Sequence, residues 1–289
     1  MERAHLIGIV IMAVGMMLLP VGDAISKYLT QVTLYTGIFL AWSRFMVGAV
    51  LAAPYAAATG AFRGLGRDFV FRQTVRGGLI ASTVACILQA VTHAPLADVY
   101  GAFFIGPSLA TILAVVVLKE RVRWPEWTAV LLGFIGVLMI VQPGERVGVG
   151  LLWAVAAGCC YGMYMVATRW AATSGPPMAQ LAGQLIVASI CLAPLGAREL
   201  FAYGIVEGQW ILLAALTSAA ANLLQIIAFR HAGAAYLAPI VYMQIVSATT
   251  LSWVVFGDQL DLWAKIGICV ILSSALFKVP WRQIGARRG

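Results

Sequence analysis

Two ionisable residues stand within apolar sequence and carry the sharpest chemical signal in the chain. Arg44 lies in Trp42-Ser43-Arg44-Phe45, and Asp23 lies in Asp23-Ala24-Ile25-Ser26-Lys27-Tyr28. If both stretches are helices in hydrocarbon, a lone charge at mid-depth costs at least about 2.5–3.5 kcal/mol, so each must face the protein interior and be paired. Arg44 falls about eleven residues into a run that starts at residue 33, and Asp23 is its first candidate partner. Two readings stay open. The arginine is a fixed Arg–Asp or Arg–carbonyl clamp, or it handles a substrate or a coupling ion directly. Asp23 and Lys27 share a helical face at i, i+4. They suit either a snorkelling pair near one mouth or proton coupling through Asp23.

A second set is neutral and aromatic: Gln89, Tyr100, Phe104, Tyr161, Tyr164, Asn222, Gln225 and Tyr242. Amides and phenols in hydrocarbon need partners, so each one alone serves as glue between helices. Together they come from both halves of the chain, which points to one amphipathic cavity for a small zwitterion with an apolar side chain. No catalytic residue, metal ligand or cofactor site is expected. The sequence has no His-Glu-x-x-His, Gly-x-Ser-x-Gly or phosphate-binding loop. Its 3 histidines lie near the ends of apolar runs, and its 5 cysteines lie inside such runs as small fillers.

The elements that hold these residues follow from composition. The chain is 62% hydrophobic and only 10% charged over 289 residues, against about a quarter charged in a soluble domain. Such a surface needs lipid as its solvent. Ten apolar runs approach the roughly 20 residues that span a bilayer: 6–29, 33–57, 73–93, 97–118, 125–141, 149–171, 177–195, 209–230, 236–256 and 262–280. The expected fold is therefore an all-α integral membrane protein of ten transmembrane helices, with the lipid bilayer and a small molecule as partners and no nucleic acid. A monomer is compatible with this reading.

Basic residues set the orientation. With the N-terminus cytoplasmic, that side receives Arg3, Arg63, Arg67, Arg72, Arg76, Lys119, Arg121, Arg123, Arg169, Arg230, Lys278, Arg282, Arg287 and Arg288. The other side receives Lys27, Arg146, Arg198 and Lys265. This asymmetry puts both termini in the cytoplasm. An internal repeat is also visible. His93-Ala94-Pro95 aligns with His231-Ala232-Gly233, and the same offset puts Glu120 on Asp258. Five helices per half is an odd number, so the halves, 1–143 and 147–281, must insert in opposite senses, followed by a basic cytoplasmic tail at 282–289. Pro107 and Pro239 are not equivalent under the repeat, so their bends are expected to differ between halves.

Several motifs together resemble the drug/metabolite transporter superfamily, in its ten-helix branch with two EamA repeats. They are Pro107-Ser108-Leu109 followed by Leu118-Lys119-Glu120-Arg121-Val122, the stretch Gly133-Phe134-Ile135-Gly136-Val137, and Trp42-Ser43-Arg44-Phe45. The resemblance implies a secondary-active or facilitative carrier in the bacterial inner membrane that works by alternating access, with amino-acid export as its leading activity. The stretch from Asp23 to Tyr28 with Arg44-Phe45 is also similar to the branch containing S-adenosylmethionine uptake carriers. Uptake of that metabolite, or of another such as riboflavin, is the alternative. An integral membrane enzyme is the competing class.

Overall fold

The computed structural model describes residues 2–93, 99, 102–141, 148–203, 207–256 and 262–276, all helices and short connections among these residues. The helices are α1 (Glu2–Val32), α2 (Gly37–Ala58), α3 (Arg67–His93), α4 (Ile105–Val116), α5 (Trp124–Val141), α6 (Val149–Trp170), α7 (Pro177–Tyr203), α8 (Gly208–His231), α9 (Ala234–Val241), α10 (Met243–Phe256) and α11 (Leu262–Leu276). α9 and α10 run on from one another with a break at Tyr242, so they form one interrupted span. Among the described residues, six spans are long and apolar enough to cross a membrane, and Ile105–Val116 and Trp124–Met139 are shorter apolar helices. Large apolar side chains such as Val50, Leu152 and Ile190 are exposed on the outside of the bundle, as expected where lipid rather than water is the solvent. The chain is an all-α, multi-pass membrane protein.

Helix boundaries differ from the hydropathy reading in three places. α3 begins at Arg67 rather than residue 73, which carries Arg76 well into the helix. α7 continues past Pro194 to Tyr203, because the chain beyond that proline still finds helical backbone partners. α2 begins at Gly37, where Thr36 caps it through a bond from the Phe39 amide. Arg44 therefore lies about 10 Å below the start of α2 at 1.5 Å per residue, in its first third rather than at mid-depth. Glu199 of α7 holds that start by accepting from the Thr36 amide at 2.8 Å and from its hydroxyl.

Packing runs between the two halves rather than within them. The most extensive seams are α1 on α8, α2 on α7, α3 on α6, and α5 on α11, followed by α4 on α6, α3 on α7, α1 on α10 and α2 on α8. Counting α9 and α10 as one span, this set is unchanged when each span is exchanged for the one five places along. Small residues make the seams close. A Cβ on Gly22 would stand 2.7 Å from Ser218 Oγ, one on Gly158 would stand 2.5 Å from the Phe103 carbonyl, and one on Gly136 would stand 2.9 Å from the Gly267 carbonyl. Without a hydrophobic force between helices in lipid, close backbone approach of this kind holds the bundle.

The break at Tyr242 has a counterpart. The helical turns at Ala102 and Phe103 are interrupted at Phe104 before α4 starts. Phe104 and Tyr242 lie 138 residues apart, the offset of the internal repeat. The expectation of different bends is corrected here. The prolines are not equivalent, but the interruptions are, because Pro107 follows its break while Pro239 precedes its own.

Candidate substrate cavity

A cavity of about 690 Å³ occupies the half of the bundle where α1 ends and α2 begins. Exposed Thr30 marks its rim, and Tyr161 of α6 lies at its floor beside Asn222 and Gln225 of α8. The walls come from α1, α2, α3, α6, α7, α8 and α10, and from the turn at Phe103 and Phe104.

Asp23 and Arg44 meet on its wall. Arg44 Nη1 donates to Asp23 Oδ1 at 2.7 Å, and Nε donates to Ser218 Oγ at 2.8 Å. A longer contact of 3.5 Å reaches Ser26 Oγ. Both serines spend their hydroxyl hydrogens on backbone, Ser218 toward the Ala214 carbonyl and Ser26 toward the Gly22 carbonyl. Their lone pairs are thereby turned to the guanidinium. The pair is partly open, with side-chain exposures of 16% for Arg44 and 37% for Asp23. Lys27 also lines the cavity, one turn nearer the rim, and is engaged by a further interaction.

The floor is amidic and aromatic. Gln225 Nε2 donates to the Tyr161 hydroxyl at 3.2 Å, and that hydroxyl reaches Met16 Sδ at 3.9 Å. Tyr161 stacks obliquely on Phe103, with ring centroids 5.3 Å apart. Asn222 accepts from Gln184 Nε2 at 3.0 Å and from the Tyr164 hydroxyl at 3.2 Å.

The structure sorts the neutral candidates. Phe104, Tyr161, Asn222 and Gln225 line the cavity. Tyr164 is fully buried behind Asn222, and Tyr242 is fully buried behind Phe104; neither forms the wall. The Gln89 side chain is exposed, and it too is absent from the wall. Tyr100 lies outside the described residues. Gln244, Ser218, Thr83 and Thr249 join the lining.

Sequence reasoning missed two constellations because it counted their arginines only as cytoplasmic charges that set the orientation. Arg76 is fully buried. It donates to Gln73 Oε1 and Gln184 Oε1, reaches Thr168 Oγ1 at 3.3 Å, and lies 6.0 Å from the Tyr164 ring centroid. Gln184 links it to Asn222 and so to the cavity. The signal in the sequence was the i, i+3 spacing of Gln73 and Arg76. The second constellation closes the opposite end of the bundle. Glu120 accepts from the amides of Ala234 and Ala235, both at 3.2 Å, and from Arg169 Nε at 3.2 Å. Arg169 Nη1 also donates to the Phe229 carbonyl at 2.6 Å. Glu120 thus satisfies orphan amides at the start of α9, where a carboxylate also meets the positive end of the helix dipole. A Cβ on Gly233 would stand 2.6 Å from that carboxylate, so the missing side chain makes room for it. Between this cluster and the cavity floor, Met12, Met16, Tyr164 and Phe229 are fully buried. Among the described residues, these side chains plug that side of the cavity. Among the described residues, no group of three or more His, Cys, Asp and Glu could hold a metal ion.

Known proteins place this geometry. The EamA-like transporter family matches residues 148–279. The chain is similar to the S-adenosylmethionine uptake transporter of Rickettsia conorii, 25% identical over 88% of this chain and 86% of that protein. The Rickettsia prowazekii protein of the same name is 23% identical over 95% and 93%. The riboflavin transporter of Brucella anthropi is 24% identical over 83% and 87%. A solved crystal structure superposes with a TM-score of 0.72 over 96% of this chain and 97% of its own at 19% identity, which shows the shared fold.

Proposed function

From a chain that carries an EamA-like domain, and that is a transporter of small metabolites rather than an enzyme, we propose an uptake carrier for an S-adenosylmethionine-like metabolite. It acts in the bacterial inner membrane by alternating access, with both termini in the cytoplasm. The observation that carries this reading is the cavity of about 690 Å³, plugged on one side by buried side chains among the described residues. It falls within the roughly 300–1,000 Å³ of small-molecule sites and joins aromatic walls to a few convergent polar groups. The buried plug and the Glu120–Arg169 cluster at the other end represent one state of a two-sided carrier. The names of the relatives favour uptake of such a metabolite over the amino-acid export first expected.

Two inverted halves, 1–143 and 147–281, account for the exchange-invariant packing and for the paired breaks at Phe104 and Tyr242. In carriers of this design, interrupted helices meet at the repeat interface beside the substrate. Riboflavin is a second reading, favoured by the aromatic cluster of Phe103, Phe104 and Tyr161. Purified protein in proteoliposomes, tested for flux of labelled S-adenosylmethionine, riboflavin and amino acids without nucleotide, decides among them. Accumulation of S-adenosylmethionine above protein-free vesicles is expected. Flux of riboflavin or amino acids alone would overturn the reading.

A further inference from the structure

We propose that Asp23 and Arg44 form a docking point for an α-amino-acid head group, with Arg44 receiving the substrate's carboxylate and Asp23 its ammonium. The proposal deepens the carrier reading above and rests on it.

The two charges are fixed, adjacent and open to the cavity. Asp23 binds Arg44 through Oδ1, and Arg44 binds through Nε and Nη1 to groups on α1 and α8. Among the described residues, Oδ2 of Asp23 and Nη2 of Arg44 make no hydrogen bond or ion pair, and both residues line the cavity. One free acceptor thus stands beside one free donor. Ser218 and Ser26 hold the guanidinium from behind, so it is positioned before any ligand arrives.

This arrangement selects a chemical class. A cation alone would approach Arg44 as it approached Asp23, and an anion alone would meet the reverse conflict. A head group with both charges on one carbon can set carboxylate against guanidinium and ammonium against carboxylate, so four charges alternate in sign. The planar guanidinium suits a carboxylate. Deeper in the cavity, Phe103 and Tyr161 offer ring faces and Asn222 and Gln225 offer amides. The ligand class is therefore an α-amino acid whose side chain ends in a flat, hydrogen-bonding ring.

The test uses thermal stabilisation of the purified protein by S-adenosylmethionine, S-adenosylhomocysteine, decarboxylated S-adenosylmethionine, 5′-methylthioadenosine and riboflavin. The first two carry the whole head group, the third lacks the carboxylate, and the fourth lacks the head. Half-maximal stabilisation is expected at concentrations at least tenfold lower for the first two than for the third and fourth. In Ser218→Ala, which keeps both charges but frees Nε, that ratio is expected to shrink. In Asp23→Asn, decarboxylated S-adenosylmethionine is expected to lose more binding than 5′-methylthioadenosine. Equal potency of the third and fourth compounds with the first two in the parental protein overturns the proposal, whether or not any variant folds. So does stabilisation by riboflavin alone. Head-group discrimination without measurable flux in vesicles would overturn the uptake reading and leave the docking point standing.

Discussion

The Tyr242 hydroxyl donates to the Phe104 carbonyl at 3.4 Å, and the two rings pack with centroids 5.8 Å apart. The two residues thus join the interruptions of two helices from opposite halves of the chain. A helix break frees backbone groups that must find other partners, and here the carbonyl exposed by one break meets the side chain at the other. Gly133 of α5 lies against the same ring, and a Cβ there would stand 2.2 Å from it. Gly133→Ala should therefore force Tyr242 aside and lower the unfolding temperature, as overpacking of about 1–3 kcal/mol would. Tyr242→Phe keeps the ring but removes the donor to the Phe104 carbonyl, so it should lower the unfolding temperature less than Gly133→Ala while changing the transport rate. Differential scanning fluorimetry and flux assays on both variants check this. A Gly133→Ala protein of parental stability would contradict the packing.

Arg44→Ala should lower flux at least tenfold, because it leaves Asp23 and Ser218 facing each other without their shared donor. Arg44→Lys should rescue poorly. A single ammonium cannot reach Ser218 and Asp23 in the directions that Nε and Nη1 serve together. Parental flux for Arg44→Ala in vesicles of matched protein content would show that the pair is dispensable.

Arg76→Leu should destabilise the protein more than any exposed arginine replacement. It leaves the amide oxygen of Gln73 buried without its donor, at roughly 1–3 kcal/mol, and leaves that of Gln184 with the Tyr164 hydroxyl at 3.1 Å in place of a charged donor. Because Gln184 orients Asn222, substrate affinity should weaken as well. Thermal unfolding and substrate titration of Arg76→Leu beside Arg63→Leu provide the comparison.

Glu120→Ala should loosen the closed end. The Ala234 and Ala235 amides lose their acceptor, and Arg169 loses its carboxylate. A cysteine placed at Ala232, which is 2% exposed, should then react several-fold faster with a thiol reagent when Glu120 is alanine. Glu120→Gln, which keeps a carbonyl acceptor, should fall between. Equal rates in all three backgrounds would show that the cluster does not seal the bundle.

Gly66 and Gln209 lie at opposite ends of the bundle, Gly66 just before α3 and Gln209 in the first turn of α8. With the N-terminus cytoplasmic, a membrane-impermeant thiol reagent applied to intact cells should label Gln209→Cys and spare Gly66→Cys. The reverse pattern would invert the topology.

Much of this architecture is legible without coordinates, because hydropathy reports the solvent. A chain with 10% charged residues requires lipid, the lengths of its apolar runs give the spans, and the cost of a lone charge pairs Arg44 with Asp23. The sequence does not report which way each helix faces. In a soluble bundle, water on one side and core on the other write a polar and an apolar stripe. In lipid both sides are apolar, and a small or aromatic residue suits either. Tyr164 and Tyr242 are therefore indistinguishable in sequence from Tyr161, although only Tyr161 reaches the cavity. Gln89 looks as inward as Gln225 yet is exposed. Arg76 and Arg169 read as cytoplasmic charges near the ends of their apolar runs. Only the folded bundle shows that the arginine's own helix and two neighbours supply enough amide and hydroxyl oxygens to bury the first, and that Glu120 and a helix-end carbonyl hold the second. The matched interruptions at Phe104 and Tyr242 belong to the tertiary structure for the same reason. The carbonyl freed at Phe104 takes its donor from the Tyr242 side chain across the bundle, and no local pattern encodes a partner 138 residues away.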